Sequence, residues 1–304
     1  MIEERTVVRI MMIKKSPGEK AFNVVNTLLM LFFVFICIYP LWYVLVCSFS
    51  NSALIAGDKG FILWPRGYSL ASYKAVFNNP DLISGYRNTL FILVVGTTLN
   101  VILTAFGAFA VTREKFALAK PMSIMMVISM YFGGGMIPMY LLVMNTLHLG
   151  NTYWAVILPS VINTYNLIIL RTNFAGIPKS LEEAAMIDGA TDFTVFWKIL
   201  MPLSLPALAV QVLFYGVAHW NSWFASMLYL DDRSMFPLQL ILREILISGN
   251  AENMASEVSA DESYNIGEGI RYATIIVATA PILALYPFIQ KYFVKGVMVG
   301  AVKG

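Results

Sequence analysis

The stretch Glu182-Glu183-Ala184-Ala185-Met186-Ile187-Asp188-Gly189-Ala190 is a short polar island between two long apolar runs. Its carboxylates would lose their hydration in lipid, at a cost of several kcal/mol. The island must therefore face water on one side of a membrane. Two adjacent alanines make a smooth surface, and the flanking carboxylates can pair with arginines of another protein. The island is therefore predicted to be a protein-binding helix.

The composition supports a membrane protein. Of the 304 residues, 58% are hydrophobic and 13% are charged, and the mean hydropathy is +0.70. A soluble domain is nearer half apolar and about a quarter charged. The net charge is only +3 and no basic run occurs, so no nucleic-acid partner is expected. Cys37 and Cys47 are about 15 Å apart along one predicted helix, too far for a disulfide.

Six stretches are long enough to cross about 30 Å of hydrocarbon as helices. The sequence predicts an all-α integral membrane protein with a single domain over residues 1–304. The expected layout is an N-terminal tail (1–21), six crossings (22–48, 88–111, 121–144, 152–170, 205–230 and 272–290), a loop carrying the island (174–202) and a C-terminal tail (291–304).

Lysine and arginine indicate the orientation. With the N-terminus inside, the inner segments hold fourteen of these residues and the outer segments seven. Cytoplasmic loops carry such an excess of positive charge. Both termini and the island are therefore predicted to be cytoplasmic.

Two outer segments have predicted structure. Leu70–Phe77 is expected to form a short helix on the membrane surface, and Phe236–Ile247 an amphipathic helix within an acidic segment. Each segment is either a solvated loop or a docking surface for an external partner.

The sequence argues against several function classes. No crossing core contains Asp, Glu, Lys or Arg, which disfavours a proton-driven carrier, whereas a sodium-coupled carrier can use unwound backbone. No metal-binding His-Glu-x-x-His helix, nucleophile elbow or phosphate-binding loop is present. With only His148 and His219, we expect no catalytic residue, no metal site and no enzymatic activity in this chain.

Two places inside the crossings are unusual. Gly133-Gly134-Gly135-Met136-Ile137-Pro138 should break the third helix where protein or a cavity covers the backbone, unless the glycines allow close helix contact instead. His219, Trp220, Asn221 and Trp223 lie in the middle of the fifth crossing, away from the interfacial tryptophan belt.

These four residues, with Tyr131, are the candidate substrate pathway. Trp220 and Trp223 stand at positions i and i+3 of the predicted helix, on one side of it. Flat rings beside amide and imidazole groups suit a sugar, which has an apolar face and a hydroxyl rim. The alternative is that the aromatic rings fill a helix seam and that Asn221 bonds a neighbouring backbone group.

The island itself predicts a helix–turn–helix. Ser180 and Glu183 fit a capping box, and Gly189 suits the left-handed position after a helix. A second short helix is expected over Phe193–Leu200, stopped by Pro202 and Pro206.

Several pieces of the sequence carry a family resemblance. Glu183-Ala184-Ala185, Asp188-Gly189-Ala190 and Met201-Pro202 resemble the coupling (EAA) motif of binding-protein-dependent ABC importer permeases, with Met201 in place of the usual leucine. Trp220–Phe224 and the C-terminal Lys295–Gly304 are similar to MalG-like permeases of the carbohydrate-uptake class. The glycine-rich break resembles the LplC/YtcP-type branch.

This resemblance implies a MetI/MalG-like permease fold in the bacterial cytoplasmic membrane and import of sugars, with oligosaccharides favoured. The implied partners are a second, MalF-like permease subunit, two cytoplasmic ABC ATPases that bind ATP and magnesium, and an extracytoplasmic sugar-binding protein or lipoprotein. This chain itself would bind no cofactor. The alternative is a secondary carrier of small polar solutes that works without an ATPase.

The resemblance also assigns roles to residues. The ATPase cleft would receive the coupling residues, and the tail would reach between the two ATPases. Closure on ATP would then tilt the fifth crossing through a rigid connection at Pro202. The coupling residues are Glu182, Glu183, Ala184, Ala185, Asp188 and Gly189, and the tail residues are Val302, Lys303 and Gly304.

Overall fold

The computed structural model describes residues 16–56, 60–113, 116–247 and 268–284, and helix dominates all of these ranges. No β-strand forms among them, although Ser50 and Tyr68 make one isolated bridge. In chain order the helices are α1 (Pro17–Ser48), α2 (Ser52–Ala56), α3 (Ala71–Asn78), α4 (Pro80–Thr112), α5 (Ala119–Tyr131), α6 (Met136–Leu141), α7 (Tyr153–Ile157), α8 (Thr164–Ala175), α9 (Lys179–Ile187), α10 (Asp192–Val195), α11 (Met201–Leu203), α12 (Leu205–Trp220), α13 (Phe224–Tyr229), α14 (Leu238–Ile247) and α15 (268–284).

Among the described residues, two unbroken helices are long and apolar enough to cross a membrane, α1 and α4. Both begin with a polar N-cap followed by proline, which suits the first helical position. The Ser16 side chain accepts a bond from the Glu19 N–H, and the Asn79 side chain accepts one from the Asp81 N–H. This second cap explains why α4 starts well before residue 88, the predicted start of the crossing.

Three further pairs of consecutive helices in the described residues are separated by sharp bends. The axes turn by 118° between α5 and residues Met136–Thr146, by 51° between Tyr153–Ser160 and α8, and by 81° between Asp192–Leu203 and α12. If each pair is one span, the described residues contain up to five. The predicted sixth crossing falls on α15 as far as residue 284, and its residues 285–290 lie outside the described part of the chain.

The glycine-rich segment breaks the third crossing, as expected. Gly135 has a φ of 87°, a left-handed conformation that residues with a side chain rarely adopt. Side chains placed at Gly133 or Gly134 would meet nothing within 4 Å. These glycines therefore end α5 and make no close helix contact within the described chain.

Helix α4 is the centre of the packing, against α8, α12 and α14. One buried cluster joins Ala105 and Ala108 of α4 to Leu167 and Phe174 of α8 and to Phe196. The two alanines allow the helices to approach closely. A second cluster, towards the start of α4, is built around α14 and α15 and includes Trp220. Both short outer helices expected from the sequence are present, as α3 and α14.

Candidate coupling surface and translocation groove

The polar island forms helix α9, but its start differs from the sequence prediction. The helix begins at Lys179 with Pro178 as N-cap, and no side chain caps it. The predicted capping box of Ser180 and Glu183 is therefore wrong. Pro178 combines a φ of −57° with a non-helical ψ of 122°, so the helix begins at Lys179, and Ser180 lies within the first turn, where it cannot be the N-cap. At the other end Gly189 has a φ of 84°, as predicted.

The second short helix is longer than expected. The Thr191 side chain accepts a bond from the Thr194 N–H and caps α10. A π-helical turn, Phe196–Leu200, then leads into α11, so Pro202 does not stop the helix. Proline has no N–H to donate to the carbonyl one turn earlier. The wider π-helical turn just before Pro202 accommodates this missing hydrogen bond. The chain bends only at Ser204, where the 81° turn into α12 occurs.

Glu182 connects α9 to the end of α4. Its carboxylate accepts bonds from both terminal nitrogens of Arg113, the residue that follows α4, with Arg113 Nη2 3.2 Å from Glu182 Oε1. The guanidinium also stacks on Phe109, 4.4 Å from the ring centre. Only 20% of the Arg113 side chain and 12% of the Glu182 side chain are exposed. Glu182 thus bonds within the chain, a role that the sequence did not indicate.

The rest of the island faces outward. Glu183, Ala184, Asp188 and Gly189 are exposed, whereas Ala185 is half-buried. Three apolar side chains of α9 and α10 are exposed as well, of which Ile187 is 87% exposed; the others are Met186 and Phe193. These exposed residues are called the coupling surface below. Single exposed apolar residues are ordinary, but a contiguous group beside a carboxylate is typical of a protein-binding surface. Val302, Lys303 and Gly304 lie outside the described residues.

A groove of about 1400 Å³ runs along α12. Its walls come from the end of α12, α13, the glycine-rich break and the bend between α7 and α8. Of the candidate pathway residues, His219, Asn221 and Trp223 line it. Tyr131 is 78% exposed at the end of α5 and is not part of the wall.

Trp220 does not line this groove and is packed inside the protein. Only 5% of it is exposed, and its ring lies 6.4 Å from that of Tyr86 in an edge-on contact. Helix α12 ends at Trp220 and α13 starts at Phe224, so the prediction that Trp220 and Trp223 share one side of a continuous helix is wrong. Asn221 is the C-cap, and its side chain donates to the Val217 carbonyl at 2.8 Å.

Polar side chains form hydrogen bonds around the bend of the fourth crossing. Asn100 of α4 donates to the Ser160 carbonyl at 2.8 Å, and its oxygen lies 3.0 Å from Nε2 of the buried His219. Gln211 donates to the Asn166 carbonyl at 3.1 Å. Backbone groups freed by a helix break in lipid must find partners within the protein. Asn100 supplies such a partner at Ser160, Gln211 adds a bond to α8, and the contact with Asn100 fixes His219 beside the groove.

The opposite end of α4 is held by a second set of ion pairs. Arg233 Nε lies 2.8 Å from Asp81 Oδ2, and Arg233 Nη1 lies 2.9 Å from Glu244 Oε2. The hydrogen bond that Arg233 donates to Asp81 is the main reason that the pKa of Arg233 is raised above its ordinary value. This network ties the start of α4 to the loop before α14.

The comparisons with known proteins identify the family. The family model described as "Binding-protein-dependent transport system inner membrane component" matches residues 102–299. The chain belongs to this family. The resemblance to ABC importer permeases and the expected all-α, MetI/MalG-like membrane fold are thereby confirmed.

Two relatives from Bacillus subtilis (strain 168) are similar over almost the whole chain. The "Polygalacturonan/rhamnogalacturonan transport system permease protein YtcP" is 40% identical over 280 residues, 90% of this chain and 96% of the relative. "Protein LplC" is 39% identical over 294 residues, 95% of this chain and 97% of the relative.

A solved structure has the same fold. It belongs to a bacterial ABC transporter involved in the import of the acidic polysaccharide alginate. The TM-score is 0.84 at 28% identity, with 92% of this chain and 99% of that chain covered.

Proposed function

We propose that this chain is a permease subunit of an ABC importer for oligosaccharides. It forms half of the translocation pathway and couples that pathway to ATP hydrolysis by a separate ATPase. The observation that carries the proposal is the coupling surface: an exposed carboxylate and apolar side chains on a short helix that is fastened to α4 by Glu182 and Arg113. The family and the sugar-transport names of similar permeases support it.

The coupling surface suits an ATPase partner. Glu183 can pair with a basic residue, while Ile187 and Phe193 would be buried on docking. ATP and magnesium would bind to that partner, and this chain would remain non-catalytic. The tail ending Val302-Lys303-Gly304 would reach between two such ATPases.

The exposed length of α1 supports a second permease subunit. Most of its apolar side chains between Phe22 and Leu41 are about half exposed, and its buried residues are confined to Val46, Cys47 and Ser48. A helix with so little packing in its own chain can contact a neighbouring subunit as well as lipid. The two subunits together would enclose the groove on α12.

The remaining partners follow from the family description and the orientation. A binding protein would deliver the saccharide to the face that carries α3 and α14. The positive-inside excess supports a cytoplasmic location for both termini and for α9 in a bacterial cell. The substrate would pass His219, Asn221 and Trp223.

Co-purification and uptake test the proposal together. The chain, expressed with its neighbouring transport genes, should retain an ATPase and a second permease in mild detergent, and reconstituted vesicles should import oligosaccharides only with ATP. Glu183→Lys should release the ATPase and abolish uptake. Glu19→Lys, the same change at an exposed site near the start of α1, should do neither.

Two results would contradict the proposal. Uptake by this chain without any ATPase would indicate a secondary carrier. Retention of the ATPase and of normal uptake by Glu183→Lys would show that the coupling surface has been assigned to the wrong partner.

A further inference from the structure

A second pocket of about 430 Å³ adjoins the groove. Residues from the end of α12, from α14 and from α15 form its walls. Asn221, Trp223 and Ile282 line both the pocket and the groove, so the two spaces meet at these side chains. A molecule in the groove can therefore place one of its groups in the pocket.

Arg243 provides the charge of this pocket. Its guanidinium carbon lies 4.6 Å from the centre of the Trp223 ring, and its Nη1 lies 3.4 Å from the Met227 sulfur. Arg113 and Arg233 each pair with a carboxylate, whereas no described carboxylate lies within ion-pair distance of Arg243. Stacking on an indole holds the guanidinium flat and leaves the N–H donors at its edge available to a ligand.

Two buried polar groups in the same walls also lack partners. The indole Nε1 of Trp220 and the hydroxyl of Thr274 have no hydrogen bond among the described residues. Trp220 is 5% exposed and Thr274 is 0% exposed. Buried donors and acceptors are normally paired, and exceptions deserve a functional explanation. Here the two groups lie in the wall of the pocket that contains Arg243, which pairs with no described carboxylate.

We propose that this pocket binds a hexuronate unit of the transported oligosaccharide, with the sugar carboxylate paired to Arg243. The inference rests on the proposed import of oligosaccharides and adds that the substrate is acidic. A carboxylate matches the planar fork of arginine in a bidentate pair. The amides of Asn221 and Gln239 line the pocket and suit sugar hydroxyls. A neutral sugar would leave Arg243 without a counter-charge from any described residue.

The names of similar proteins agree with this chemistry. YtcP is named for polygalacturonan and rhamnogalacturonan, and the transporter of similar structure imports alginate, described as an acidic polysaccharide. Galacturonan consists of galacturonate, which is a hexuronate, so these names agree with a substrate that carries carboxylates.

Direct binding to the assembled transporter tests the inference without the binding protein. The purified complex is placed in phosphatidylcholine nanodiscs, and equilibrium dialysis measures its affinity for labelled α-1,4-linked trigalacturonate. The matched probe is the same trisaccharide after chemical reduction of its carboxyl groups, which is neutral and nearly identical in shape. The wild-type complex should bind the acidic probe at least tenfold more tightly than the neutral one.

Variants of the arginine identify the group responsible. Arg243→Gln should remove the preference for the acidic probe, and Arg243→Lys should weaken it at least threefold, because an ammonium group cannot form the bidentate pair. Arg87→Gln, the same change at an exposed position of α4 outside the pocket, should bind as the wild type does. Where Arg243→Gln does not assemble with the ATPase, the Arg243→Lys complex decides.

Other outcomes overturn the inference in distinguishable ways. Equal binding of the two probes, or full binding by both Arg243 variants, shows that the pocket does not recognise a carboxylate. Loss of the acidic preference on addition of phosphatidylglycerol assigns Arg243 to a lipid phosphate. If the transporter imports only neutral saccharides in the presence of ATP, the proposed acidic substrate is refuted, whereas the proposed importer function is not. If no saccharide of a broad panel is imported, the proposed function fails and this inference with it.

Discussion

Glutamine at position 182 removes one charge of the ion pair that holds the coupling helix to α4, without changing the shape of the side chain. Exposed ion pairs contribute at most about 1 kcal/mol. Removal of one partner from a fully buried pair costs about 3–5 kcal/mol, because the other charge stays buried and uncompensated. Since 20% of Arg113 and 12% of Glu182 are exposed, this pair lies between the two limits.

We therefore expect a cost of about 2–3 kcal/mol for Glu182→Gln. If α9 detaches locally, this cost raises the detached population about 30- to 150-fold. The backbone amides of α9 should then exchange with deuterium faster by that factor, while those in the middle of α4 should not change. Import in reconstituted vesicles should fall relative to ATP hydrolysis, because the ATPase would displace a loosely held helix.

Two controls distinguish the loss of the ion pair from a general effect of substitutions in α9. Glu183→Gln changes the neighbouring exposed carboxylate and should leave the exchange rates of α9 unaltered. The double exchange Glu182→Arg with Arg113→Glu should restore part of the protection lost in either single variant. Unchanged exchange in Glu182→Gln, together with unchanged import per ATP, would refute the view that this pair fastens the coupling helix.

Three further predictions concern packing and backbone geometry. Gly96→Ala would place its Cβ 2.5 Å from His219 Nε2 and should lower stability by about 1–3 kcal/mol in thermal unfolding. Gly216→Ala is the control and should not lower stability, because its Cβ would have its nearest neighbour at 3.9 Å. Equal Tm values for the two variants would be inconsistent with this packing. Gly189→Ala should cost about 1–2 kcal/mol because of its φ of 84°, and asparagine there should cost less; the opposite order would argue against the left-handed turn. Asn100→Leu should lower stability by about 1 kcal/mol by leaving the bend of the fourth crossing unpaired, and an unchanged Tm would show that other groups satisfy it.

The sequence predicted those features that depend on local chemistry. The apolar runs of α1 and α4, the break at Gly133–Gly135 and the left-handed Gly189 follow from hydropathy and from the conformational freedom of glycine. The exposure of Glu183 follows from the water that a carboxylate requires.

The sequence could not predict which side chains meet across the bundle. Arg113 and Glu182 are 69 residues apart in the chain, and nothing local distinguishes Glu182 from Glu183. The distinction arises because one face of α9 brings Glu182 to Arg113 at the end of α4, whereas the adjacent face leaves Glu183 exposed. Asn100 and Gln211 carried a usable signal, since polar residues inside a crossing usually bond to something, but their partners are backbone carbonyls, which no sequence pattern marks.

The geometry also changes the expected path of motion from the coupling helix. The connection through Pro202 is not straight, because α11 and α12 meet at 81° and α12 ends at Trp220. Helix α4, by contrast, is unbroken over 33 residues, about 50 Å at about 1.5 Å per residue. Arg113 ties its end to the coupling helix, and Asp81 ties its start to Arg233 and thus to α14. A displacement of α9 therefore reaches the opposite end of the bundle most directly through α4, whereas the route through α12 must first pass a bend.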